Sequence, residues 1–250
     1  MATVKTKIIG SYLSPYVRKV LVCLDIKGIP YEIDPIVPFY GNDAFARLSP
    51  VRRIPVLIDD MVTLADSSVI CAYLDERYSE PALLPQGPQL RARARWLEEY
   101  ADTRMGEVFI WHLFNQLVIR RFVWGETPDE QVLKKAREEE IPQVLAYLEC
   151  ELPPDGFLFG AISIADISVA AFFRNAAFAR YALDAARWPR TAAFAARTLD
   201  HASFARLRPF EEVLLRTPIA NHRAALKDAG APVSDTSFGT STPRRGLLTI

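Results

Sequence analysis

The sequence predicts an α+β N-terminal domain followed by an all-α C-terminal domain, and three observations carry that prediction. Up to about Tyr78, short apolar runs and helical periodicities follow one another in the order strand, helix, strand, helix, strand, strand, helix. A Pro- and Gly-rich stretch at 81–88 then reads as a linker. From Gln89 to about Arg216, Ala, Leu, Arg and Glu recur at helical spacing with no convincing strand. The expected division is therefore 1–80, 89–216 and a polar tail at 217–250.

In the first domain, Lys7-Ile8-Ile9-Gly10-Ser11 reads as a strand, and Val17, Val20, Leu21 and Leu24 then recur at helical spacing. Ser14 is the natural N-cap of that helix. Pro15 suits its first position, where a missing N–H costs nothing. Lys27 lies in the last turn and Gly28 stops the helix. A second strand is expected at 31–34 and a short helix or turn at 42–48. Pro55-Val56-Leu57-Ile58 and Val62-Thr63-Leu64 form two strands across an Asp59-Asp60 turn. The helix at 67–78 is expected to bury Val69, Ile70, Tyr73 and Leu74. A βαβ unit followed by a ββα unit gives a small mixed sheet of thioredoxin-like type with a right-handed crossover.

Five helices are expected beyond the linker, at 89–118, 129–150, 163–180, 189–200 and 203–215. Ser163-Ile164-Ala165-Asp166 reads as a capping box, with Ile162 and Ile167 placed for a hydrophobic staple; its role is folding. The tail is rich in Ser, Thr and Gly at 234–242, a composition that predicts mobility.

Bulk properties exclude several function classes. Thirty Lys plus Arg balance thirty Asp plus Glu, so no global field attracts nucleic acid or an anionic membrane. No apolar run approaches the roughly 20 residues that cross a bilayer, and the N-terminus lacks a signal-peptide pattern, so a cytoplasmic location is expected. Cys23, Cys71 and Cys150 are dispersed and odd in number, which suits buried free thiols in a reducing compartment. His112, His201 and His222 show no ligand-like spacing, so no metal is expected.

Three segments together resemble the cytosolic glutathione S-transferases of serine type, tau-like and bacterial members among them. Ser14-Pro15-Tyr16-Val17-Arg18-Lys19-Val20 is similar to that family's S-P-[FY]-x-x-[KR]-V opening. Ser49-Pro50-Val51-Arg52-Arg53-Ile54-Pro55-Val56-Leu57 is similar to its N-P-x-x-K-[VI]-P-V-L, and Leu64-Ala65-Asp66-Ser67-Ser68-Val69-Ile70 to its L-x-[ED]-S-x-x-I. The resemblance covers both domains to about Arg216. It implies the glutathione transferase architecture, glutathione as co-substrate, a hydrophobic electrophile held between the domains, and a homodimer.

The resemblance also implies roles residue by residue. Ser14 would stabilise the thiolate of glutathione, with Ser11 and Tyr12 as rivals. Asp66 and Ser67, at a helix N-terminus, suit the γ-glutamyl ammonium and carboxylate respectively. Ile54-Pro55 is expected to be a cis peptide whose Ile54 N–H and C=O pair with the cysteinyl backbone. Arg53 would meet the glycyl carboxylate, with Arg52 as competitor. Trp111 and His112 are candidates for lining the electrophile site, with a core or surface role as the alternative. No cysteine stands in the opening motif, which argues against thiol exchange of the omega kind, and no S-S-C-S signature points to a zeta-class isomerase. The alternatives to a conjugating enzyme are a weakly active glutathione- or ligand-binding stress protein, or a specialised glutathione-dependent lyase, isomerase or dehalogenase.

Overall fold

The computed structural model describes residues 6–245, and the chain folds as two compact units. One takes the chain up to Pro81 and again from Arg206; the other is Ala82–Ala205.

The first unit is built on a four-stranded sheet in the order β2-β1-β3-β4. Strand β1 (Thr6–Ile9) runs parallel to β2 (Tyr31–Asp34), with helix α1 (Pro15–Ile26) as the crossover. Helix α2 (Asp43–Leu48) leads to β3 (Val56–Ile58) and β4 (Thr63–Ala65), an antiparallel pair followed by helix α3 (Ser67–Arg77). The Asp59 carboxylate closes the β3–β4 turn by accepting from the Met61 and Val62 amides. Ile8, Ile9, Leu21, Leu24, Ile33, Leu57, Ile70 and Leu74 form the buried core of this unit. Val69 and Tyr73 depart from expectation. Val69 is half exposed, and the Tyr73 hydroxyl instead donates to Asp59 at 2.7 Å. The buried positions of α3 are Ser67, Ile70, Cys71 and Leu74.

The second unit is helical. Helix α4 (Pro88–Tyr100) continues without a break into a segment of wider, π-type pitch (Ala101–Trp124), which stops at Gly125 in a left-handed conformation. Helix α5 (Glu130–Lys135) runs through a short wide turn (Ala136–Glu140) into α6 (Ile141–Glu151), and α7 (Ile164–Phe178) and α8 (Pro189–Leu199) follow. The expected capping box is formed. Asp166 accepts from the Leu158 amide and from both the amide and the hydroxyl of Ser163, at 2.6–2.9 Å. Burial is the larger effect on Asp166 and raises its carboxyl above the ordinary range.

The C-terminal part departs most from expectation. The helix expected at 203–215 is two pieces, α9 (Ala202–Ala205) and α10 (Arg208–Arg216), and the described residues from Arg206 on pack with the first unit. The physical reasons are specific: Arg206 pairs with Asp25, Phe210 packs on Tyr12, and Arg18 pairs with Glu211. The residues expected to form a mobile tail contain α11 (His222–Asp228) and an ordered arm beyond it. Ile33 of β2 pairs in parallel with Val233, Asn42 donates its amide to the Phe238 carbonyl, and Thr240 donates its amide to the Tyr40 carbonyl. The arm thereby covers the outer edge of β2. The last five residues of that expected tail lie outside the described residues.

Candidate functional site

The sheet register brings the three sequence motifs to one end of the first unit. Ile9 pairs with Val56, and Val56 pairs with Ala65. The chain leaving β1 after Ile9 therefore carries residues 11–14. The chain entering β3 before Val56 carries Ile54-Pro55, and the chain leaving β4 after Ala65 carries Asp66-Ser67. Segments 40 and more residues apart become neighbours because β3 runs antiparallel to both β1 and β4.

Ser14 caps α1 as expected: its hydroxyl accepts from the Val17 amide at 3.4 Å, and Pro15 occupies the first turn. Close approach of β1 and α1 sets this corner. A Cβ on Gly10 would come within 2.5 Å of the Val17 side chain, so only glycine fits there. The rival hydroxyls are less available. Ser11 is buried and accepts from the Leu13 amide. Tyr12 is 1 % exposed, lies 3.5 Å from the Tyr31 hydroxyl and packs on Phe210; burial, then Tyr31, pushes its phenol far above the ordinary value. Ser14 is the one of the three that is partly open to solvent.

The Ile54–Pro55 peptide is cis. Among the described residues none hydrogen-bonds to the Ile54 amide or carbonyl, which leaves an unpaired strand-like edge beside β3. Preceding residues are held by Ser49, whose hydroxyl donates to the Arg53 carbonyl at 2.9 Å and accepts from the Arg53 amide at 3.1 Å. Sequence reasoning missed this clamp; the available signal was a serine before a proline, four residues ahead of Arg53. Arg53 is exposed. Arg52 is half-buried at φ 51°, with one guanidinium nitrogen buried and unpartnered. Asp43, held low chiefly by Arg244, is lowered further by Arg52.

Asp66 is the N-cap of α3, its carboxylate accepting from the Ser68 amide at 2.9 Å and the Val69 amide at 3.3 Å. It is exposed, with φ 86° and ψ 128°, a conformation that costs a non-glycine residue on the order of 1–3 kcal/mol. Ser67 beside it is buried at the first helical position. The Ile54 edge, the α3 N-terminus and the Ser14 cap thus offer, in one place, peptide partners, an anion site and a hydroxyl at a helix end. In the second unit Trp111 and His112 are both half-exposed, and His112 Nδ1 lies 2.7 Å from Glu140. Among the described residues no group of three or more His, Cys, Asp or Glu could hold a metal, and no helix is long and apolar enough to cross a membrane.

Comparisons with known proteins fit this geometry. Residues 8–82 match the family model described as glutathione S-transferase, N-terminal domain. Glutathione S-transferase U8 of Arabidopsis thaliana is 33% identical over 173 residues, 67% of this chain and 69% of that protein. A stringent starvation protein A homolog of Haemophilus ducreyi is 28% identical over 62% of this chain and 67% of its own length. Among solved structures, a glutathione S-transferase from Methylobacterium radiotolerans in complex with glutathione sulfonate is 26% identical. It superposes with a TM-score of 0.68 over 81% of this chain and 93% of that one.

Proposed function

The chain belongs to the glutathione S-transferase family, and we propose that it stabilises the thiolate of glutathione at Ser14 and transfers it to a hydrophobic electrophile. The observation that carries the reading is the register that converges Ser14, the free Ile54 edge and the α3 N-terminus on one end of the sheet. Glutathione has two carboxylates, an ammonium and two peptide groups, and each has a partner in the reading. Asp66 takes the ammonium and Ser67 with the α3 N-terminus takes the γ-glutamyl carboxylate. The Ile54 N–H and C=O take the cysteinyl backbone, and Arg53 takes the glycyl carboxylate. Arg52 is less suited, being half-buried where Arg53 is exposed.

Magnitudes favour a serine without a general base. A free thiol has a pKa near 8.5, and lowering it by about two units requires roughly 2.7 kcal/mol of preferential thiolate stabilisation. A hydroxyl hydrogen bond to a charged group supplies about 1.5–3 kcal/mol, and the α1 terminus adds about 0.3–1 kcal/mol. The nucleophilic sulfur then attacks the electrophilic carbon while the leaving group departs with the electron pair, and Ser14 needs only to hold the anion. The expected working form is a cytoplasmic homodimer.

A second reading is a transferase-like glutathione- or ligand-binding stress protein that retains the site and turns over little; one similar protein is named as a stringent starvation protein A homolog. One experiment separates the two. The ultraviolet absorbance of bound glutathione thiolate is titrated against pH for the wild type and for Ser14→Ala. A thiolate pKa well below 8.5, returned toward that value in the variant, supports activation by Ser14. Glutathione bound with an unshifted thiol overturns the catalytic reading and leaves the binding one.

A further inference from the structure

Helices α1 and α3 are joined by three successive rungs. Lys19 Nζ donates to Ser68 Oγ at 3.0 Å, the Cys71 thiol donates to Cys23 Sγ at 3.5 Å, and Lys27 Nζ donates to Asp75 Oδ1 at 2.8 Å. On α1 and its C-cap residue Lys27 the three positions are spaced i, i+4, i+8, and on α3 they are i, i+3, i+7, so each set lies on one helical face. Both thiols are buried, at 0% and 3% exposure, and neither is in a disulfide. A buried cysteine serving as apolar filler needs no sulfur partner and no fixed register. Here a polar tie on either side holds the helices so that the sulfurs meet. A disulfide requires the sulfurs to close to about 2.05 Å, a movement of roughly 1.5 Å from where they stand.

We propose that Cys23 and Cys71 are a redox-active dithiol that closes to an intramolecular disulfide with a hydroperoxide as oxidant. One thiol, as thiolate, attacks a peroxide oxygen. The S–O bond forms as the O–O bond breaks, and the departing hydroxide or alkoxide takes up the proton the thiol lost. The second sulfur then attacks the sulfenic sulfur. The S–S bond forms, the S–O bond breaks, and hydroxide leaves as water with the second thiol's proton. With hydrogen peroxide the balance is two thiols and one peroxide to one disulfide and two waters, with two electrons passing from sulfur to oxygen. A hydroperoxide suits this pair because it is small enough to enter between packed helices during local opening.

Cys150 is exposed and serves as the internal control. Full-length protein is treated with hydrogen peroxide, denatured, alkylated with iodoacetamide and weighed intact, then digested with trypsin. The three cysteines fall in separate tryptic peptides, 20–27, 54–77 and 138–174. The expected result is a species lighter by two hydrogens before alkylation, with peptides 20–27 and 54–77 linked, and full alkylation recovered after dithiothreitol. Cys150→Ser should leave this unchanged, and either Cys71→Ser or Cys71→Ala should abolish it. Two results would overturn the proposal: Cys23 and Cys71 staying alkylatable under conditions that oxidise Cys150, or each reaching sulfinic acid without a linked peptide.

Discussion

Arg18 of α1 and Glu211 of α10 form a buried ion pair, with Nε 2.5 Å from Oε1 and both side chains almost fully shielded from solvent. A second guanidinium nitrogen of Arg18 donates to the Tyr12 carbonyl at 3.1 Å. One residue of the opening motif therefore anchors both the loop that presents Ser14 and the helix that returns to this unit after 193 residues. Removing one partner leaves the other charge buried. Glu211→Ala is expected to cost about 3–5 kcal/mol in urea unfolding. Adding Arg18→Met should recover a large part of that loss; two independent, additive losses would show that the pair is not coupled.

Asp34, at the end of β2, plays the corresponding part for the C-terminal arm. It is fully buried, accepts from Arg223 at 2.8 Å through one oxygen and from the Phe238 amide at 2.7 Å through the other. Arg223 also donates to the Ser234 carbonyl. Asp34→Asn keeps the shape but turns an amide NH₂ toward one of these donors. A lost hydrogen bond to a charged group costs about 1.5–3 kcal/mol, which raises the population of the undocked arm roughly tenfold to a hundredfold. Chymotryptic cleavage after Phe238 should accelerate by that factor. An unchanged rate would mean that backbone pairing with Ile33 and Tyr40 suffices to hold the arm.

These two anchors mark the limit of what the sequence makes legible. The Ser14-Pro15 cap, the Ser163–Asp166 box, the four strands and most helices of the second unit were readable because their signals are local: caps, turn residues and the spacing of apolar side chains. The convergence of Ser14, Ile54 and Asp66 was readable only through the resemblance, since it depends on strand register. The arm's docking was not readable at all. It pairs backbone to backbone along the edge of β2, and a polar composition carries no record of such pairing. The split into α9 and α10, and the return of the chain to the first unit at Arg206, rest on partners almost 200 residues away, which no periodicity encodes.

His222 supplies a pH signature. Its ring lies 3.0 Å from the Thr217 carbonyl, and burial holds its pKa below the usual 6.5 even though that carbonyl favours the charged form. Above 6.5 neither the folded nor the unfolded chain is protonated there, so the residue contributes no slope. As pH falls through 6.5 the unfolded chain takes up a proton that the folded one resists, and stability drops by up to about 1.4 kcal/mol per pH unit until the folded value is reached. Urea unfolding between pH 8 and 5 should show this loss in the wild type and a reduced slope in His222→Gln. Parallel curves for the two proteins would remove His222 as the source.

Asp66 allows the binding role to be separated from the structural one. As N-cap it satisfies two amides of α3, and asparagine caps a helix about as well as aspartate and also tolerates positive φ. Asp66→Asn should therefore leave the melting temperature nearly unchanged, whereas Asp66→Ala should lower stability by about 0.5–2 kcal/mol. If the carboxylate meets the γ-glutamyl ammonium, the asparagine variant loses a charge-assisted contact of about 1.5–3 kcal/mol, and the glutathione dissociation constant rises roughly tenfold to a hundredfold. Isothermal calorimetry on the two variants decides the matter. Weakened binding in Asp66→Ala alone would assign Asp66 to the helix end, whereas weakened binding in both would assign it to the ligand.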